Sequence, residues 1–200
     1  MNQRPSEPEL NRLAHPRSGH FDLGTGYHGD LWLDLDALYL RPAKLRPHIR
    51  LLADQLRQHR IDAICGPMEG GAFLAFALAD RMATAYLPAY RRSGAGTADL
   101  AGYRLPAVSG GLSGWRVAVV DDAVNAGTAV MSCFGQLRDA GAIPVAAAAL
   151  LALGDAAAMV TATMSVPFYA ADSISSRAWR AEACPLCAGG APLTDPASGD

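Results

Sequence analysis

The chain of 200 residues is 50% hydrophobic and 18% charged, and its formal net charge is -2 at pH 7. This length and composition favour one folded domain with a proper core and exclude a disordered chain. The near-neutral charge gives no overall basic field for nucleic acid and no polybasic surface for a membrane.

Secondary-structure elements are predicted in chain order from the apolar pattern. Residues 11–28 are rich in Gly and His and are predicted to be irregular, and residues 31–40 alternate as a strand or hairpin. The following succession is then predicted: helix 43–59, strand 61–65, helix 70–82, strand 84–90, a long mobile loop 93–114, strand 115–120, helix 127–140, strand 143–151, helix 155–162 and strand 166–170.

Buried strands that alternate with helices predict an α/β fold, in which helices flank a central parallel sheet. We expect a single domain over residues 1–180, with a small N-terminal hood at about 15–40 and a core at about 43–172, followed by a short tail over 181–200.

The start of the sequence is polar, and the longest apolar run, residues 142–153, is too short to span a bilayer. We therefore expect a soluble protein of the cytoplasm. In that reducing compartment Cys65 and Cys133, which lie inside apolar segments, are predicted to be small core residues.

One strand-to-helix segment carries the clearest functional signal. The strand that ends at Val120 delivers Asp121 and Asp122, and a short loop of small residues then opens a helix at Gly127 and Thr128. The loop amides, the helix N-terminus and the Thr128 hydroxyl suit a phosphate, and the carboxylates suit a vicinal diol. Together they predict a site for a ribose 5-phosphate, whereas helix capping alone would explain one carboxylate but not both.

This segment closely resembles the phosphoribosyl diphosphate (PRPP) signature of type I phosphoribosyltransferases, and the order of the other elements resembles the orotate branch of that family. The resemblance implies that the whole segment binds PRPP: Asp121, Asp122, Ala123, Val124, Asn125, Ala126, Gly127, Thr128 and Ala129. It also implies that Asp121 and Asp122 are catalytic residues. Residues 21–26 resemble the hood motif of the family, which implies that Thr25, Gly26, His28 and Trp32 bind the base. Trp32 is equally well explained as core beneath the hood.

Two further segments resemble the family. Residues 66–71 resemble its diphosphate loop, which implies that Met68, Glu69, Gly70 and Gly71 bind PRPP. Arg91 and Arg92 fall on the family's catalytic Arg-Lys pair, and the loop 93–114, with Arg104 as a further PRPP ligand, falls on its mobile catalytic loop.

The chain also departs from the family pattern. The hood lysine falls on Gly24, the Lys-x-His-Gly pattern of the catalytic loop is missing, and the arginine that reads the orotate carboxylate falls at Leu153 and Gly154. No cation is therefore expected at that carboxylate. The single lysine, Lys44, begins a helix away from the predicted site, so diphosphate is expected to be neutralised by amides, Mg²⁺ and arginine.

The resemblance implies a homodimeric enzyme that transfers the 5-phosphoribosyl group of PRPP to a nitrogenous base, with Mg²⁺ and with orotate as the first acceptor to consider. No nucleic-acid or membrane partner is expected. Two alternatives stay open: transfer to an uncharged base, and a non-catalytic PRPP-binding regulator on the same fold.

The tail contains Cys184 and Cys187 in a Cys-Pro-Leu-Cys sequence that is typical of half a zinc site. A structural Zn²⁺ takes four ligands, so a dimer would have to supply two such pairs, or His15, His20 or His28 would have to complete the set. The alternative is a reduced tight turn that packs on the body of the protein.

Overall fold

The computed structural model of the chain describes residues 9–24, 26–92 and 102–196. The helices are α1 (Glu9–Leu13), α2 (Asp36–Tyr39), α3 (Pro42–Leu56), α4 (Ala72–Met82), α5 (Thr128–Asp139), α6 (Ala156–Met164) and α7 (Pro185–Ala188). The strands are β1 (Arg17–Asp22), β2 (Tyr27–Trp32), β3 (Ala63–Pro67), β4 (Ala85–Arg91), β5 (Tyr103–Arg104), β6 (Arg116–Val124), β7 (Ile143–Leu153), β8 (Phe168–Ile174) and β9 (Ala178–Arg180). In these described parts no helix is both long and apolar enough to cross a membrane.

The central sheet has the strand order β5-β4-β3-β6-β7-β8. Its strands pair in parallel, except that β5 runs antiparallel to β4 at one edge. The predicted α/β fold with a central, mostly parallel sheet is thus confirmed. This order places β3 beside β6 in the middle of the sheet. The loops that follow these two strands therefore meet at the carboxyl ends of the parallel strands, which we call the sheet edge of the site.

Helices cover both faces of this sheet. Leu52 of α3 and Leu78 of α4 are completely buried against one face, and Phe134 of α5 and Val160 of α6 are completely buried against the other. Burying a side chain of this size stabilises the fold by about 1.5–3 kcal/mol. The two apolar layers hold the sheet, and hence the loops at its edge, in place.

The N-terminal region differs from the prediction. Residues predicted to be irregular form β1 and β2, and α2 occupies part of the predicted strand or hairpin. β1, β2 and β9 form a separate antiparallel sheet, which we call the hood. Gly24 and Gly26 lie in the turn between β1 and β2, whereas Gly19 and Gly29 lie in the strands, where a Cβ atom would approach the Phe21 ring to 2.9 Å at Gly19 and Leu23 Cδ1 to 2.7 Å at Gly29.

The predicted tail, residues 181–200, and the predicted loop, residues 93–114, also differ in part from the prediction. The segment after Arg180 packs on the hood, where the Thr194 amide donates to the His20 carbonyl oxygen at 2.8 Å. Within the predicted loop, Tyr103 lies in β5, and both Tyr103 and Leu112 are buried in the apolar layer under α5. These anchors shorten the predicted mobile loop, and its residues 93–101 lie outside the described residues.

Candidate active site

Asp121 and Asp122 lie near the carboxyl end of β6, in the middle of the sheet edge. They are only 7% and 8% exposed. The Asp122 amide donates to Asp121 Oδ1 at 3.1 Å, and the Ala123 amide donates to Asp122 Oδ1 at 2.6 Å. None of the ion pairs formed by the described residues involves either carboxylate. The pair is therefore a buried acidic site that the described side chains leave without a neutralising cation.

This environment changes the protonation of both groups. Burial, followed by repulsion from Asp122, raises the pKa of Asp121 well above its usual range. Burial raises the pKa of Asp122 from 3.8 to about 6. Burial and these two carboxylates also raise the pKa of Tyr39, whose buried hydroxyl has no hydrogen-bond partner among the described residues. The site favours ligands that bring hydroxyl protons or positive charge to the carboxylates.

The loop that follows β3 packs directly on this acidic pair. A Cβ atom at Gly70 would lie 2.7 Å from Asp121 Oδ1, and a Cβ atom at Gly71 would collide with the Val120 carbonyl oxygen. Glycine is therefore required for the close approach of the two backbones. The structure brings the predicted diphosphate loop, with its exposed Met68, against the predicted ribose carboxylates.

The start of α5 completes this arrangement. Gly127 takes a φ of 68° immediately before the helix, and the amides of the first helical turn lack helical acceptors. Asn125, Ala126 and Thr128 line an adjacent cavity. Val124 is only 2% exposed, so it contributes backbone rather than side chain to this loop. The predicted phosphate site is thus open to a cavity, as a ligand would require.

That cavity has a volume of about 680 Å³ and lies between the start of α5, the turn after β7 and the hood. Tyr27 of β2 and Trp179 of β9 are part of its hood wall. Arg177 and Arg180 also line it, so two cations lie at this cavity, and the expectation that none would face the carboxylate of the base stays a prediction. These two arginines had no predicted role because they follow the last predicted strand, residues 166–170, and belong to no predicted element.

Gly154, in the turn after β7, lies in close contact with the segment that leads into β9. Its φ is 53°, and a Cβ atom there would lie 2.6 Å from the Ser176 carbonyl oxygen. The family pattern places its arginine at Leu153 and Gly154, and of these two positions a side chain at Gly154 would clash with the backbone that leads into β9. The chain places Arg177 one residue beyond this contact instead.

The residues predicted to bind the base lie mostly elsewhere. Trp32 lines a different cavity, together with His15, and packs against Phe21 with a centroid distance of 6.5 Å. His28 turns toward Cys187, with 3.3 Å between Nδ1 and Sγ. Strand alternation explains both positions, because residues 28 and 32 face away from Tyr27.

The two remaining base-binding predictions concern a tight turn. The Gly26 carbonyl oxygen accepts a hydrogen bond from the Ala181 amide at 2.9 Å, which ties the turn between β1 and β2 to the chain beyond β9. Thr25 lies outside the described residues. Of the four predicted residues, Gly26 thus lies next to Tyr27 of the cavity wall and contributes backbone to its support.

The three predicted arginines separate in the structure. Arg91 Nε lies 3.7 Å from Glu69 Oε1 of the diphosphate loop. Arg92 donates to Gln136 Oε1 of α5 at 3.1 Å, and both Arg92 and Arg104 line a cavity against α5. Successive residues of a strand point to opposite faces, so Arg91 is the member of this group that contacts the diphosphate loop.

A second cluster of chemically active side chains lies behind the hood. One donor atom from each of His20, His28, Cys184 and Cys187 lies within 4.8 Å of the others. Of the three histidines that the sequence offered as partners for the cysteine pair, His20 and His28 are thus brought to it, while His15 lines the cavity beside Trp32. This cluster is a group that fits a metal ion.

Comparison with known proteins agrees with this geometry. No protein-family model matches the chain. Orotate phosphoribosyltransferase from Caldanaerobacter subterraneus is 28% identical over 189 residues, which cover 94% of each chain. The enzyme of the same name from Caulobacter vibrioides is 27% identical over 192 residues, which cover 95% of this chain and 93% of that one.

Solved structures show the same relationship. Orotate phosphoribosyltransferase from Aeropyrum pernix superimposes with a TM-score of 0.65 at 25% identity, covering 82% of this chain and 91% of that one. Adenine phosphoribosyltransferase from Thermoanaerobacter pseudethanolicus also gives 0.65, at 17% identity, and therefore shares the fold. The chain thus has the fold of the type I phosphoribosyltransferases. Within that class it is orotate phosphoribosyltransferase-like, as its sequence relatives along nearly the whole chain indicate.

Proposed function

We propose that this protein transfers the 5-phosphoribosyl group of PRPP to a nitrogen of orotate and releases diphosphate. The observation that carries the proposal is the buried pair Asp121 and Asp122, which lies against the glycines of the diphosphate loop and next to the start of α5. The names of the sequence relatives support orotate as the acceptor.

Each part of PRPP has a suitable group at this edge of the sheet. The ribose hydroxyls would donate to Asp121 and Asp122, the 5-phosphate would accept from the amides of the loop at Asn125 and from Thr128, and the diphosphate would lie on the glycine loop beside Arg91. In the reaction the bond between C1 and the diphosphate oxygen breaks with its electron pair going to diphosphate, and the acceptor nitrogen forms a bond to C1 and loses its proton to the diphosphate or to solvent. As the bond to diphosphate breaks, positive charge develops on the ribose ring and negative charge on the departing diphosphate. Placement of the two reactants and neutralisation of the diphosphate therefore supply most of the catalysis.

The donor set also fits Mg²⁺. Two buried carboxylates without a cation among the described residues attract a divalent ion, and oxygen donors are those that Mg²⁺ prefers. When bound with PRPP, Mg²⁺ neutralises the diphosphate oxygens as they gain charge. Asp121 and Asp122 would hold the Mg²⁺-PRPP complex, and Arg91 would provide further positive charge beside the diphosphate loop.

The acceptor base would occupy the cavity beneath the hood. Arg177 and Arg180 offer guanidinium groups for the carboxylate of orotate, and Tyr27 and Trp179 offer aromatic surface for its ring. The cavity has a volume of about 680 Å³, and Asn125 and Thr128 of the proposed phosphate site also line it. These arginines would take the place of the family arginine, which falls at Leu153 and Gly154 in this chain.

We also propose that the protein is a homodimer that works in the cytoplasm, where its four free cysteines stay reduced. Phe73 and Phe76 on α4 are 68% and 63% exposed, and Leu40 is 80% exposed. Ring contacts connect Phe73 to Tyr39 and Phe76 to Tyr86 in one continuous apolar patch. A patch of this kind favours burial against a second copy.

The decisive test is a turnover assay with PRPP, Mg²⁺ and a panel of orotate, uracil, adenine and hypoxanthine, in which diphosphate release is measured. We expect release with orotate, and none with the double variant Asp121→Asn, Asp122→Asn. Faster release with an uncharged base would overturn the assignment of the acceptor. Binding of PRPP without release with any base would indicate a PRPP-binding regulator instead.

A further inference from the structure

Four side chains behind the hood converge on one point. His20 lies on β1, His28 lies on β2, Cys184 precedes α7, and Cys187 lies in α7. Their donor atoms all lie within 4.8 Å of one another. We propose that these residues bind one structural Zn²⁺ ion, which joins the hood to the C-terminal segment of the chain.

Four of the six distances between the donor atoms match those of a tetrahedral zinc site, and all six are within 4.8 Å. Zn–S bonds of about 2.3 Å and Zn–N bonds of about 2.0–2.1 Å place tetrahedral ligands about 3.3 Å apart for two nitrogens and about 3.5 Å apart for nitrogen and sulfur. His20 Nε2 lies 3.3 Å from His28 Nδ1. The sulfur atoms lie 3.4 Å (Cys184) and 3.7 Å (Cys187) from His20 Nε2, and Cys187 Sγ lies 3.3 Å from His28 Nδ1.

The surroundings of the cluster fix the ligand atom of one histidine. His20 Nδ1 lies 3.0 Å from the Ala191 carbonyl oxygen. Because a carbonyl oxygen can only accept a hydrogen bond, Nδ1 carries the proton and donates it to this bond. Neutral His20 then carries a lone pair on Nε2, which points at the two sulfurs and the other ring. A metal-bound histidine typically donates its second ring proton in this way, and the bond holds the ring in position.

The chemistry of the four donors selects the metal. Two thiolates and two imidazoles in a closed set are typical of structural zinc, whereas Mg²⁺ prefers oxygen. Two thiolate charges balance one Zn²⁺ ion, so the neutral cluster is compatible with the burial of His20, His28 and Cys184, which are 5%, 9% and 3% exposed. Cys187 is exposed, which provides a route for the ion to enter.

The position of the cluster indicates that the ion would stabilise the hood. The hood is a three-stranded sheet of short strands, and a sheet of that size has little core of its own. Zinc would connect β1 and β2 to the segment beyond β9. His28 pairs with Trp179 in the hood sheet, and its neighbour Tyr27 pairs with Arg180, so the ion would also hold these three cavity residues. This last consequence rests on the proposed function, whereas binding of zinc does not.

Metal analysis of the purified full chain tests the proposal. The protein is produced with zinc in the medium and purified with a reducing agent and without chelator, and metals are measured by mass spectrometry. We expect about one zinc per chain. His20→Asn, His28→Asn and Cys184→Ser should each lose most of it, and the matched control His15→Asn should retain it. Replacement by Co²⁺ should give the visible absorption of a tetrahedral site with thiolate ligands.

Three results would overturn the proposal: a zinc-free protein whose metal-free form does not bind added Zn²⁺, a disulfide between Cys184 and Cys187 in the reduced preparation, or full zinc content in the His28→Asn variant. Protease sensitivity of the hood and turnover are then measured separately. We expect removal of zinc to expose the hood to cleavage and to raise the KM for the base about tenfold. Zinc-dependent protection in a protein that is inactive with every base would refute the proposed function and leave the zinc site intact.

Discussion

Replacing one carboxylate of the active-site pair should make the protein more stable and less able to bind PRPP. In Asp122→Asn the amide oxygen can still accept the hydrogen bond from the Ala123 amide, which is 2.6 Å from Asp122 Oδ1 in the native protein. The buried charge is lost. The variant therefore removes an electrostatic cost while it retains the local hydrogen bond.

The size of the effect follows from the pKa. Burial raises the pKa of Asp122 from 3.8 to about 6, so the folded state binds the proton more tightly than the unfolded state. Stability that is present below the unfolded pKa is then lost as the pH rises through the folded pKa, and the full loss is about 3 kcal/mol. Relative to the native protein, Asp122→Asn should gain about 1 kcal/mol at about pH 4.5 and about 3 kcal/mol at about pH 7.5.

Urea unfolding across this pH range, without added Mg²⁺, measures the difference in the free energy of unfolding between variant and native protein. Asp80→Asn, at an exposed position on α4, is the matched control and should show no such growth with pH. PRPP affinity of Asp122→Asn, measured by calorimetry at about pH 7.5, should fall about 10- to 100-fold because a charged hydrogen-bond acceptor is lost. A difference that does not change with pH, or a variant that is less stable at about pH 7.5, would refute the reasoning.

Three further predictions concern the acceptor site, the dimer and the diphosphate loop. Arg177→Ala should lower kcat/KM for orotate about 10- to 100-fold with little change in the calorimetric affinity for PRPP, and an equal loss of PRPP affinity would contradict its assignment to the base. Phe73→Asp combined with Phe76→Asp should convert a dimer to a monomer in sedimentation equilibrium, whereas an intact dimer would place the interface elsewhere. Gly71→Ala should lose about 1–3 kcal/mol of stability in urea unfolding, because its methyl group would meet the Val120 carbonyl oxygen, and unchanged stability would show that this contact can relax.

The half of the candidate site that we propose for PRPP could be predicted because each of its parts is local in sequence. Asp121 and Asp122 follow an apolar strand and precede a helix, so the strand pattern alone places them at the edge of the sheet. Gly70 and Gly71 also follow a buried strand. The neighbouring positions of these two loops then follow from the parallel pairing of β3 and β6.

The half that we propose for the base could not be predicted in the same way, because it is assembled from segments that are distant in sequence. Tyr27 and Arg180 become neighbours only when β9 pairs with β2. The short β9 has no strand pattern of its own, and the strands β1 and β2 contain glycines that usually indicate loops. Their conformation is decided by packing in the hood, and this overrides the local preference.

The proposed PRPP residues and the proposed base residues lie on two different sheets, and for this reason binding of the acceptor should depend on the C-terminal segment. The residues that would bind PRPP are carried by the central sheet, which has apolar layers on both faces, whereas the cavity wall at Tyr27, Trp179 and Arg180 is carried by a small sheet. A small sheet needs support from outside, and the chain supplies it through the Thr194 hydrogen bond and the cluster of His20, His28, Cys184 and Cys187. Changes in the tail should therefore affect binding of the base first, while PRPP binding continues to depend on the stability of the central sheet.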